Sequence, residues 1–151
     1  MYKIQMGVAK DGDSKELTDL YRKLYEGDEK KKFYSSKVVP SKVRFGSRIF
    51  VARDKKKMIG FCWAVYYEHI KNKGVGVIEE LYVDKEYRRK KVGKRLVEAA
   101  LKFLGKNSIV VFVSTEDEAK DAQQFYEAIG FKICKGPWYV TIPKGGCRDT
   151  K

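Results

Sequence analysis

The sequence predicts an α/β (α+β) fold built around a mixed sheet. Two observations predict it. Some segments alternate polar and apolar residues or are rich in β-branched and aromatic residues, which is typical of strands; others repeat their apolar residues at helical spacing. Turn-forming residues separate these segments. The resulting order is β-α-β-β-β-α-β-α-β-β, which indicates one domain of α/β type.

The first half of the chain contains four predicted strands and one helix. Tyr2 to Ala9 alternates as a strand does, and Lys15 to Glu26 repeats leucine and tyrosine at helical spacing after a turn that offers an N-cap. Residues 27–41 are charged and aromatic, and we predict a loop there. The three following strands are predicted at Ser47–Arg53, Met58–Tyr67 and Val75–Val83.

The second half begins with a helix whose apolar stripe runs from Val92 to Phe103. Ser108 to Val113 is almost wholly apolar, which favours a strand buried on both faces. Thr115 to Glu118 has the form of a capping box, and the helix that it opens closes at Gly130. A last hairpin is predicted from segments 131–134 and 138–142. We predict a single domain over residues 1–144, followed by a polar tail at 145–151.

The composition places the chain among folded proteins that do not cross a membrane. Of its 151 residues, 43% are hydrophobic and 35% are charged, values that argue against long disorder. No apolar run approaches the roughly 20 residues of a membrane span. The N-terminus lacks the features of a signal peptide, so we expect a cytoplasmic protein without a membrane partner.

Cysteine and histidine offer no metal site at the level of the sequence. Three cysteines form no disulfide framework, and no pair has zinc-ligand spacing. Cys62 and Cys134 lie in apolar runs, which predicts that both are structural, whereas Cys147 lies in the polar tail. We therefore expect no metal.

The formal net charge of +13 indicates attraction to polyanions. Nucleic acid, an acidic protein or a phosphate-rich cofactor would each be attracted by that charge. The alternative explanation is that the lysines are simply solvated. The position of the densest cluster of basic residues says more about the binding partner than the total charge does.

The densest cationic cluster follows the strand that ends at Val83 and enters the helix that begins near Val92. Backbone N–H groups in the first turn of a helix are unpaired and carry the positive end of the helix dipole, which makes an anion site. Cations are unfavourable there unless an anion binds. The sequence therefore predicts a polyanion site, with pyrophosphate as the natural guest, at Arg88, Arg89, Lys90, Lys91, Val92, Gly93, Lys94 and Arg95.

This segment resembles the acetyl-CoA-binding motif of the GNAT N-acetyltransferase superfamily, Arg-x-x-Gly-x-Gly/Ala. Arg88 matches the arginine and Gly93 the last position, while Lys91 stands where the first glycine is usual. The run from Gln124 to Phe131 is similar to a second family segment, Phe-Tyr-x-x-x-Gly-Phe, and Ala119 stands where many members have asparagine. The resemblance covers about Met58 to Phe131.

The resemblance implies a fold, a cofactor and an activity. It implies a mostly antiparallel sheet of about seven strands, splayed between the fourth and fifth, with about four helices. Acetyl-CoA would lie in the splay, and an acetyl group would pass to a primary amine by direct attack in a ternary complex. The backbone of Leu81, Tyr82 and Val83 would hold the pantetheine arm, and the helix start near Ala119 and Ala122 would lie close to the distal parts of the cofactor.

The same resemblance assigns two catalytic residues. Tyr126 matches the family tyrosine that protonates the leaving thiolate, and a phenol stays protonated at neutral pH. Glu79 stands where the polyamine-type branch places a glutamate that acts as base through water. Strand alternation sends Glu80 to the opposite face unless a bulge intervenes, so Glu80 is the alternative base, and His69 is a further one.

The acceptor is left open as a small molecule or a protein. The resemblance assigns its pocket to residues 21–41 and 135–141, with Glu26, Asp28 and Glu29 able to attract a cationic amine. Two other functions remain as alternatives: a basic module that binds nucleic acid, and a catalytically weak domain that binds CoA and regulates. A homodimer is compatible with the family.

Overall fold

A computed structural model describes residues 3–26, 37–43, 45–68 and 73–134 of the chain. The chain divides between Ser114 and Thr115 into two compact units. Each unit is described by itself below.

The first unit contains a five-stranded mixed sheet. Its strands lie in sequence order across the sheet. The first four are paired antiparallel, and the last two are parallel. The mixed, mostly antiparallel sheet is thus confirmed. The strands are β1 (Ile4–Val8), β2 (Ser47–Asp54), β3 (Lys57–Tyr67), β4 (Gly74–Val83) and β5 (Ser108–Val113).

The described residues hold three α-helices and five strands instead of about four and seven. The helices are α1 (Ser14–Leu24), α2 (Val92–Leu104) and, in the second unit, α3 (Lys120–Ala128). Residues 131–134 form no strand, because a strand needs a paired neighbour and none of the described segments pairs with them. The other arm of the predicted hairpin, 138–142, lies outside the described residues.

Helix α1 covers one face of the sheet because its leucines fall on one side. Leu17 and Leu20 are buried against Ile49, Val51 and the other members of one apolar cluster. Fully burying a side chain of this size stabilises the fold by roughly 1.5–3 kcal/mol. The cluster also contains Ala9, Met58, Phe61 and Tyr82.

Helix α2 covers the opposite face. Val92 and Leu96 of the predicted stripe are buried, whereas Ala99 and Phe103 are half-buried, and Leu104 is buried beside them. The helix lies close to the sheet at Gly76, where an added Cβ would stand 3.1 Å from the Leu104 side chain. Any larger residue at position 76 would push the helix away. The loop that joins the end of β4 to the start of α2 lies on the surface.

Strand β5 is not buried on both faces, as its apolar sequence predicts. Ile109 is 71% exposed and Val110 is also exposed. The reason is its position, because β5 is the last strand of the five-stranded sheet and pairs only with β4 among the described strands. Composition alone does not distinguish an edge strand from a central one.

The second unit is built around α3. The predicted capping box at Thr115–Glu118 does not form, because the helix begins at Lys120 and Ala119 is its N-cap without a side-chain hydrogen bond. The predicted end is confirmed: Gly130 has φ +102°, and the N–H of Phe131 donates to the Tyr126 carbonyl at 3.0 Å. Cys134 is exposed rather than buried, since it lies outside any strand or helix.

Candidate active site

The end of β4 runs beyond its parallel neighbour. Pairing with β5 covers Gly74 to Ile78 and stops at the partner residue Val113, whereas β4 continues to Val83. Along Glu79 to Val83 only β3 is paired with the strand. The backbone edge of Leu81, Tyr82 and Val83 on the β5 side therefore has no ladder partner among the described strands. Such an edge accepts an extended ligand that carries amides.

The loop after β4 forms a backbone anion site. Arg89 and Lys91 both have φ +61°, whereas Lys90, which lies between them, has a negative φ. Backbone that alternates in this way turns successive N–H groups toward one concavity, as in phosphate-binding loops. Lys91 is also the N-cap of α2, and no side chain of the described residues caps that helix start. The amides and the helix dipole thus favour the same anion.

Three cations of this loop donate hydrogen bonds to backbone carbonyl oxygens. Arg88 donates to the Val83 carbonyl at 3.0 Å, Lys90 to the Glu86 carbonyl at 2.7 Å, and Arg95 to the Ile4 carbonyl at 3.3 Å. Carbonyl oxygens carry no net charge, so these bonds order the side chains without neutralising them. The chain therefore fits a phosphate-rich ligand at the place that the sequence predicts. Lys94 lies 3.9 Å from Glu98, a weak exposed pair.

Lys91 adopts a conformation that glycine would adopt without strain. The left-handed region costs a non-glycine residue roughly 1–2 kcal/mol, while glycine loses about 0.5–1 kcal/mol more chain entropy on folding. The lysine that replaces the motif glycine therefore keeps the loop shape at some cost in stability.

We expect Lys91→Gly to raise the free energy of unfolding by up to about 1 kcal/mol, which corresponds to about 2–4 °C in Tm. Thermal and chemical denaturation measure it. Lys55→Gly, at another residue with positive φ (+55°), should gain as much, whereas Lys90→Gly should lose stability. Equal losses in all three variants would contradict the strained loop.

A β-bulge places both glutamates of β4 on the face that α1 covers. Trp63 pairs with Glu80 and Ala64 with Ile78, so Glu79 is the extra residue of β4. Strand alternation would send Glu79 and Glu80 to opposite faces, but the exception for a bulge applies here. The cause is the inserted residue, which shifts the alternation by one.

Each glutamate accepts a hydrogen bond from a tyrosine. The Tyr67 hydroxyl donates to Glu79 at 3.0 Å, and the Tyr25 hydroxyl, at the end of α1, donates to Glu80. Glu79 is exposed and Glu80 is half-buried. Burial raises the pKa of Glu80, the Tyr25 bond lowers it, and the charge of Glu79 raises it further. Burial and the bond to Glu80 also raise the pKa of Tyr25, which keeps that phenol protonated.

An apolar cavity contains a cross-strand neighbour of Glu80 in its wall. It has a volume of about 230 Å³ and lies between α1, β2, β3 and the segment 37–43. Trp63 lines it, and Trp63 is the β3 partner of Glu80. In the sequence alone, the aromatic residues Tyr25, Trp63 and Tyr67 fit a pocket or, more commonly, the core. The hydrogen bonds from Tyr25 and Tyr67 and the cross-strand pairing of Trp63 join residues that are not neighbours in the chain, and no local pattern signals them.

Other predicted site residues lie outside the described residues, on the surface near α1 or in the second unit. His69, Asp28 and Glu29 lie outside the described residues, and Glu26 is exposed just beyond α1. Ala119, Ala122 and Tyr126 belong to the second unit. There Tyr126 is buried and packs edge-on against Phe125 and Phe131, with ring centroids 5.1 and 5.5 Å apart. Its phenol is held by ring packing.

Cys62 lies in the core of the first unit. Cys62 is buried on β3, as predicted, and burial raises the pKa of its thiol to about 12, so the thiolate is not populated at neutral pH. The ranges that the structure describes contain no group of three or more potential metal ligands. In those same ranges no helix has the length and apolarity to cross a membrane.

Comparison with known proteins gives a family and a fold. The model of the acetyltransferase (GNAT) domain matches residues 45–133, more than half of the chain. An uncharacterized N-acetyltransferase of Methanocaldococcus jannaschii is 28% identical over 137 residues. That alignment covers 83% of this chain, and the chain spans only 58% of the relative's length.

Two solved structures illustrate the fold. An aminoglycoside N-acetyltransferase in complex with CoA has a TM-score of 0.76 at 16% identity, with 93% of this chain and 95% of that one covered. An integron cassette protein from the mobile metagenome of V. cholerae has a TM-score of 0.76 at 18% identity, with 96% of each chain covered. With the family model matched across β2 to α3, the chain belongs to the acetyltransferase (GNAT) domain family.

Proposed function

We propose that this chain is an acetyl-CoA-dependent N-acetyltransferase that acts on a primary amine. One observation carries the proposal: the unpaired edge of β4 leads directly into the backbone anion site at the start of α2. An extended arm that carries amides fits the strand edge, and a pyrophosphate fits the anion site. The solved relative in complex with CoA supports the same ligand.

Acetyl-CoA, when bound, supplies an acetyl thioester whose C–S bond breaks as a C–N bond to the amine forms. An alkyl amine has a pKa of about 10.4, so it arrives protonated and must lose a proton before attack. Glu79 takes this proton through water, because its carboxylate is exposed at the bulge beside the open strand edge. Similarity of this strand to the polyamine-type branch supports that role.

Tyr126 is the proposed acid that returns a proton to the departing sulfur, on the basis of its match to the family segment. Ala119 and Ala122 are proposed to line the distal part of the cofactor. The loop from Arg88 to Arg95 holds the phosphates, and its cations, among them Arg88 and Arg95, attract them from solution.

The proposal is tested by calorimetric titration with acetyl-CoA together with thiol release in the presence of amines. We expect binding that weakens with salt and thiol release that depends on the amine. Absence of affinity for acetyl-CoA would overturn the proposal. Tight binding without turnover on any amine would instead favour the regulatory alternative.

A further inference from the structure

The cavity beside the glutamates, here called the Trp63 cavity, is apolar. Its walls come from α1, β2, β3 and residues 37–43, and they include Leu17, Tyr21, Val38, Ile49, Phe61 and Trp63. Its volume is about 230 Å³. An engineered apolar cavity of roughly 150 Å³ holds benzene, so this one has room for a ring and a short chain.

The outer wall of the Trp63 cavity is fixed by hydrogen bonds. The N–H of Val38 donates to the Thr18 hydroxyl at 3.0 Å. The N–H and hydroxyl of Ser41 donate to the Asp11 carboxylate at 2.8 and 2.6 Å, and these bonds lower the pKa of Asp11. The segment 37–43 is therefore tied to the start of α1 and to its interior. A pre-formed cavity binds without a large ordering cost.

Two wall residues of the Trp63 cavity, Trp63 and Tyr21, are neighbours of the groups at which proton transfer is proposed. Trp63 is the cross-strand partner of Glu80. Tyr21 lines the cavity and packs edge-on against Tyr25, with ring centroids 5.2 Å apart, and Tyr25 in turn binds Glu80. A molecule with its body in the cavity therefore presents its other end to the glutamates.

The polar groups around the cavity disfavour a polycation. Its charged lining residues are Lys37 and Lys42, and the described lining contains no carboxylate. A second ammonium group inside would lose its hydration and meet only like charge. The indole N–H of Trp63 is buried without an acceptor among the described residues, a state that costs about 1–3 kcal/mol.

We propose that the Trp63 cavity binds the acceptor and that the acceptor is a primary monoamine with an apolar, ring-sized body. The glutamates of β4 hold the single ammonium group, and the cavity holds the ring. This inference rests on the proposed N-acetyltransferase function and narrows its substrate class.

The test compares amines that differ in one feature. Phenethylamine carries one ammonium and one ring, ethylamine lacks the ring, and spermidine and an aminoglycoside are polycations. Burying a ring of this size contributes roughly 1.5–3 kcal/mol, so kcat/KM for phenethylamine should exceed that for ethylamine by about 10–100-fold. It should also exceed that for both polycations.

The variant that tests the Trp63 cavity is Val38→Phe, because the larger side chain fills the cavity. It should raise KM for phenethylamine about tenfold or more while leaving KM for ethylamine and the Kd of acetyl-CoA unchanged. Val8→Phe is the matched control, because Val8 lies on β1 outside the lining of this cavity. Retained acetyl-CoA binding by both variants shows that they fold.

The outcomes separate the two proposals. A preference for spermidine or the aminoglycoside overturns the monoamine inference and leaves the N-acetyltransferase function standing. Loss of all thiol release together with loss of acetyl-CoA affinity overturns the function itself. If acetyl-CoA binds but no amine reacts, the CoA-loaded protein is titrated with phenethylamine in a calorimeter. Absence of phenethylamine binding then overturns the monoamine inference.

Discussion

Glu79→Gln is expected to lower kcat by about 100-fold or more at neutral pH, the range typical of a lost general base. Glutamine keeps the size of the side chain and can still accept the Tyr67 hydrogen bond, but it cannot take a proton. Because Glu79 is the extra residue of the bulge, its replacement leaves the β3–β4 ladder intact. The initial rate of thiol release, measured with a reactive amine across a range of pH, checks this.

The variant should also change the pH profile. Without the base, only amine that is already neutral reacts, so kcat/KM should keep rising toward the amine pKa of about 10.4. The wild-type profile should level off earlier. A profile with the same shape as wild type, at an unreduced rate, would remove Glu79 from the mechanism.

Glu80→Gln is the matched control for Glu79→Gln. Its carboxylate is half-buried and engaged by Tyr25, so we expect a smaller loss of kcat. Burial raises the pKa of Glu80, so the charged form destabilises the folded state as the pH rises through that pKa. The stability of Glu80→Gln relative to wild type should therefore grow with pH. A larger loss of kcat in Glu80→Gln than in Glu79→Gln would make Glu80 the base.

Lys91→Glu is expected to weaken acetyl-CoA binding by about 10–100-fold, because a charged hydrogen bond contributes roughly 1.5–3 kcal/mol. The substitution places a carboxylate at the N-cap of α2, in the anion site itself. The same carboxylate interacts favourably with the helix dipole, by about 0.3–1 kcal/mol. Affinity should thus fall while the free energy of unfolding without ligand stays equal or rises. Calorimetry and chemical denaturation measure the two quantities.

Lys102→Glu makes the same charge change in the last turn of the same helix. Lys102 is exposed there, at the negative end of the dipole. We expect this control to bind acetyl-CoA nearly as the wild type does and to lose about 0.3–1 kcal/mol of stability. Equal loss of affinity in both variants would mean that net charge, and not the start of α2, attracts the cofactor.

The sequence by itself determined most of the helices and strands and the cationic cluster between β4 and α2. The apolar stripes of α1 and α2 and the strand patterns of β2 to β4 are local, because helical and strand periods are set by the backbone of a few consecutive residues. The cationic loop at Arg88–Arg95 is equally local, since a helix start exposes its own amides. Each family motif, Arg88–Gly93 and Gln124–Phe131, is likewise a run of consecutive residues, so the cofactor was predicted correctly from local patterns.

Only the tertiary structure decided how the two glutamates are presented. The bulge at Glu79 arises from register between β3 and β4, and register depends on packing across the whole sheet. The Tyr25–Glu80 bond joins residues 55 positions apart. The Trp63 cavity likewise depends on α1, two strands and the tethered segment 37–43 meeting at one place. Such contacts depend on many interactions between residues that are far apart in the chain. Sequence periodicity, in contrast, reflects only residues that are close together in the chain.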